Sequence, residues 1–134
     1  MQSFTPKWSA NKFKSILQGI DRYLKEYDEI YNDEIGFFYD LIIAIKETEL
    51  FKEFFLDMLN LMEVFYSHEE MDIDEVFIKF IECVIGSNSL ETNFEDVLRS
   101  LEKMPKYYKK KATSNLIELM KGTDLLKEYF PNFA

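Results

Sequence analysis

The chain has 134 residues, 47% hydrophobic and 16% aromatic, with 25 acidic against 16 basic side chains and a net charge of −9. That apolar content excludes intrinsic disorder, and the length supplies an ordinary core without disulfides or metal, so a single domain over residues 1–134 is expected. One cysteine excludes an internal disulfide, and the longest apolar runs, such as Leu41 to Ile45, fall far short of the roughly 18 residues needed to cross a bilayer.

Apolar residues recur at helical spacing along almost the whole chain, and period-two alternation never lasts. The fold class expected is therefore all-α, a single compact bundle of six or seven helices with a central hydrophobic third helix. The first helix runs from about Ala10 to Tyr31, N-capped by Ser9, with Phe13, Ile16, Leu17, Ile20, Leu24, Tyr27 and Tyr31 on one stripe. The second spans about Asp33 to Lys46 and carries Ile35, Phe38, Leu41, Ile42 and Ile45, with Phe37 and Ile43 widening the face. Thr48 caps a third, Glu49 to Tyr66, whose apolar positions from Leu50 to Phe65 cover more than half its circumference; such a helix packs on two sides.

Asp72 caps a fourth helix, Ile73 to Ile85, which Gly86 stops. Ser87-Asn88-Ser89 reads as a loop, and Thr92-Asn93-Phe94-Glu95 as a capping box opening a fifth helix that ends before Pro105. A sixth, Lys106 to Lys121, uses Ala112, Leu116, Leu119 and Met120 and stops at Gly122. Thr123 caps a short last helix with Leu125, Leu126, Tyr129 and Phe130, ended by Pro131.

Catalytic and metal signatures are missing. The single histidine, His68, has no nucleophile or glycine-rich oxyanion loop beside it, and neither Arg22 nor Arg99 forms an Arg-x-x-x-x-His nuclease pair with it. At the end of the third helix, among Glu69 and Glu70, His68 reads as a favourable C-terminal cation. No Glu-x-x-His pair suggests a di-iron bundle. Asp72-Ile73-Asp74 starts like a calcium loop, but Phe77 stands where glycine is needed and Cys83 where the bidentate Glu is needed. No phosphate loop is possible, since no two glycines lie within six residues of each other. We therefore expect no enzyme, no cofactor and no metal.

Cys83, in Phe80-Ile81-Glu82-Cys83-Val84-Ile85, reads as a small buried hydrophobe rather than a reactive thiol, in keeping with a reducing compartment. Met1 to Trp8 holds no apolar run of the signal-peptide kind, so a cytoplasmic location and no membrane contact are expected.

Charge carries the functional expectation. Residues 21–96 hold 21 acids and five bases, a net of −16, between ends of +3 and +4. Asp28, Glu29, Asp33 and Glu34 straddle the first turn, with Tyr27 and Tyr31 beside them; Glu69, Glu70, Asp74 and Glu75 straddle the third. Such clusters focus a negative potential that steers a basic partner, and tyrosines supply packed contacts. These ten residues are the candidate partner-binding set; Asp72, next to them, is assigned to a cap.

The expected function is that of a small acidic binding protein or inhibitor, of the toxin-immunity kind, covering the functional surface of a basic partner such as a nuclease toxin. The alternatives are a helical scaffold subunit of a larger assembly and a phage-encoded inhibitor of a nucleic-acid-binding defence complex. Direct nucleic-acid binding is not expected of a −9 chain. The basic run Lys103 to Lys111 reads as a solvated helix face.

Overall fold

A computed structural model describes residues 9–26, 32–67 and 72–133, with the side chains of residues 32–34 excepted. The described residues form eight α-helices and two 3₁₀ turns and contain no β-strand. The chain divides after Met71 into two compact units.

The first unit holds α1 (Ala10–Glu26), α2 (Asn32–Ile45) and α3 (Glu49–Val64), extended by a 3₁₀ turn at Phe65–Ser67. Ser9 starts α1 by accepting a hydrogen bond from the Lys12 amide at 3.2 Å. Phe13, Leu17 and Leu24 are buried on one face of α1, as their 3.6-residue spacing requires. Helix α3 contacts both α1 and α2 and buries Phe51, Phe54, Phe55, Met58, Leu59, Leu61 and Met62. Tilted aromatic pairs join the elements: Phe13 to Phe54 at 5.3 Å and Phe38 to Phe65 at 5.6 Å between ring centroids.

Helix α2 departs from expectation on one side. Phe38, Leu41, Ile42 and Ile45 are buried, but Phe37 and Ile43 are 54% and 59% exposed, so they do not widen its packed face. Their helical angles carry them past the edge that α3 covers.

The second unit holds α4 (Ile73–Val84), α5 (Asn88–Thr92), α6 (Phe94–Glu102), α7 (Lys106–Leu119) and α8 (Asp124–Tyr129), then a 3₁₀ turn at Pro131–Phe133. Its main contact is α4 on α7, with α6 also against α7. Val76, Phe77, Phe80, Ile81 and Val84 meet Ala112, Leu116 and Met120 in a core that no solvent reaches appreciably. Phe94 packs against Tyr129 in a tilted pair with ring centroids 4.9 Å apart, tying α6 to α8. Gly86 and Gly122 take φ of +83° and +84°, the left-handed conformation that glycine adopts without strain, and end α4 and α7.

The predicted loop at Ser87-Asn88-Ser89 is instead the start of α5: the Ser87 hydroxyl accepts from the Leu90 amide at 3.2 Å. Asn93, not Thr92, opens α6, because Thr92 is still the last residue of α5; Asn93 caps no amide, and its side-chain amide donates back to the Ser89 carbonyl at 2.8 Å. Cys83 is half-buried rather than enclosed, since it lies at the edge of the stripe formed by Phe80, Ile81 and Val84.

Candidate functional site

Of the ten predicted contact residues, Tyr27, Asp28, Glu29, Tyr31, Glu69 and Glu70 lie outside the described residues, as does His68. Asp33 and Glu34 contribute backbone to the first turn of α2, with their side chains outside the description. Glu75 is exposed in the first turn of α4. Asp74 beside it is only 5% exposed. It precedes Phe77 by three residues and Ile81 by seven, so helical geometry turns it with them into the packed face, where it cannot serve as an accessible contact. Its carboxylate stands near the helix N-terminus, the favourable end for a negative charge.

In the first unit the described side chains are close to charge balance. They comprise the acids Asp21, Glu26, Asp40, Glu47, Glu49, Glu53, Asp57 and Glu63 and the bases Lys12, Lys14, Arg22, Lys25, Lys46 and Lys52. Residues 1–71 together carry 14 acids and seven bases, so most of the excess belongs to Asp28, Glu29, Asp33, Glu34, Glu69 and Glu70.

Two surface features emerge; the first has no one-dimensional signal, and the second extends the basic run Lys103 to Lys111. The first is a groove of about 310 Å³ between α1 and α3. Lys14, Gln18, Asp21 and Lys25 form its α1 rim, Asp57 and Asn60 its α3 rim, and Leu17, Phe54 and Leu61 its floor. Lys25 and Asp21 pair across 3.0 Å on the rim, an exposed i,i+4 bridge worth a few tenths of a kcal/mol. No serine, threonine, cysteine or histidine lines the groove. Finding it requires knowing that α1 lies on α3, which no local pattern states.

The second feature is the outward face of α7. Residues 103–117 contain five lysines and no acid. Lys106, Lys110, Ser114, Ile117 and Lys121 follow one another at spacings of three or four and line a groove with Phe133 of the terminal 3₁₀ turn. Tyr107 and Phe133 are 72% and 60% exposed. Lys111 lies over the Tyr107 ring at 6.0 Å.

Among the described residues, no group of three or more His, Cys, Asp or Glu side chains is arranged to share a metal ion. No described helix is long and apolar enough to cross a membrane. The Tyr129 hydroxyl titrates above the ordinary tyrosine value, through partial desolvation first and then the nearby Glu128 and Glu95 carboxylates. No protein-family model, curated protein or solved structure matches this chain.

Proposed function

We propose that this is an acidic binding protein that neutralises a basic partner by covering its functional surface, in the manner of an immunity protein against a nuclease toxin. One observation carries the reading: the helices of the first unit are nearly balanced in charge, while the segments around residues 28–34 and 69–70 concentrate the acidic excess. Concentrated carboxylates accelerate encounter with a cationic surface far more than the same charge spread evenly. The protein acts by binding rather than by catalysis, in the cytoplasm, without cofactor, metal or nucleic acid. In this reading helix α3, which packs on both α1 and α2, is the centre of the first unit.

The decisive experiment is affinity capture on the immobilised chain at low salt, followed by kinetics with whatever basic protein is retained. Asp28→Asn, Glu29→Gln, Asp33→Asn and Glu34→Gln combined should slow association about tenfold and flatten its salt dependence. Glu69→Gln, Glu70→Gln and Glu75→Gln test the other cluster, with Asp74 left intact because it is buried. Tyr27→Ala or Tyr31→Ala should mainly speed dissociation. Unchanged kinetics in both charge variants would reject the reading. The α7 lysine face favours a second reading, a scaffold subunit that contacts neighbours through surfaces of opposite sign.

A further inference from the structure

We infer that the α7 groove is a second docking surface, of opposite sign to the acidic segments, and that it takes an acidic peptide segment carrying an apolar side chain. The lysines are concentrated where they do not help the helix. Lys106 and Lys109 lie in the first turn of α7, which contains no acid, so their charge adds to the positive end of the helix dipole instead of opposing it. Lys109 is partly neutralised by Glu102, and Lys121 pairs with Glu118 at 2.9 Å. Among the described residues, no carboxylate pairs with Lys106 or Lys110. The face therefore holds uncompensated cations beside the exposed rings of Tyr107 and Phe133 and the half-buried Ile117.

Dimensions and charge select the occupant. From Lys106 to Lys121 the stripe runs about 20 Å, which an extended peptide covers with about six residues. Carboxylates at alternate positions would meet Lys106 and Lys110, and an apolar side chain on the same face four residues further on would enter beside Ile117 and Phe133. A nucleic acid suits the site less: Glu118 lines the same groove, and the chain's net charge of −9 opposes a long polyanion. This surface lies wholly within the second unit and is independent of the acidic-segment proposal, so either can fail alone.

The test is fluorescence anisotropy with the full chain and three labelled probes: a ten-residue Glu-Leu peptide with two Glu at alternate positions and a Leu four residues further on, all on one face when extended, a decaglutamate, and a ten-nucleotide oligothymidylate. The Glu-Leu peptide should bind most tightly and weaken as salt rises. Lys106→Glu with Lys110→Glu should reduce its affinity at least about tenfold, and Phe133→Ala about threefold to fivefold. Lys106→Gln with Lys110→Gln, which leaves the groove's shape, should give an intermediate loss with an unchanged circular dichroism spectrum. Equal binding of the peptide by wild type and the glutamate variant would overturn the inference. Decaglutamate matching the Glu-Leu peptide would also overturn it, by removing any role for the apolar lining. Preferential binding of the oligothymidylate with the same lysine dependence would replace it with a single-strand nucleic-acid site.

Discussion

Helices α3 and α7 are similar in length, 16 and 14 residues, yet their surroundings differ. Each has two helical neighbours, but α3 buries seven of its side chains. Within α7 the buried residues are Ala112 and Leu116, and most of the remaining circumference is lysine, tyrosine and small polar side chains. A helix that buries about half its side chains has little surface left to evolve a contact. One that buries only a narrow stripe keeps its outer face for other molecules, and in this chain that face includes Lys106 and Lys110, which no described carboxylate pairs.

The difference is sharpest in stability. Phe55→Ala, at a site 1% exposed, should destabilise by about 3–5 kcal/mol through cavity formation, read from chemical denaturation of the full chain. Leu116→Ala, in the narrower stripe of α7, should cost about 2–3 kcal/mol. A larger loss at Leu116 than at Phe55 would reverse the ranking of the two helices.

A smaller effect separates two threonines that look alike in sequence. Thr123 accepts a hydrogen bond from the Leu126 amide and caps α8, so Thr123→Ala should cost about 1 kcal/mol. Thr48 occupies the N-cap position of α3, but its hydroxyl donates to the Ile45 carbonyl at 2.7 Å and caps no amide. Thr48→Ala should therefore cost about half as much, by the same denaturation measurement. Equal losses would mean that position alone, not the hydrogen bond, sets the value of the cap.

The smallest effect concerns alkaline pH. Tyr129 keeps its proton longer in the folded chain than the ordinary value of 10.0 allows. As pH rises past that value the unfolded chain ionises first, so the stability present below it declines until the folded hydroxyl also titrates. Tyr129→Phe, which retains the ring against Phe94, should flatten part of the alkaline fall in melting temperature. An alkaline profile identical to wild type would show that the shift has no energetic consequence.

Much of the helix framework was readable from residue spacing because helix signals are local. Caps, glycine stops and 3.6-residue stripes act within a few residues of themselves, which is why Ser9, Thr123, Gly86 and Gly122 were found at their observed roles. The same locality explains the error at residues 87–93, where serine and asparagine suit loops and caps equally and the choice fell to the hydrogen bonds of Ser87 and Asn93. The candidate surfaces were less readable, since a contact face depends on which parts of each helix a neighbour covers.

By itself the sequence determined the all-helical class, most helix boundaries and the uneven charge, because propensity, periodicity and net charge are properties of short stretches of chain. Only the tertiary structure decided that Phe37 and Ile43 stay exposed, that Asp74 turns inward with Phe77, and that Lys106, Ile117 and Phe133 share one groove. Those outcomes depend on which helix faces are packed together and on residues brought close from distant positions, and a pattern read along a single helix contains neither.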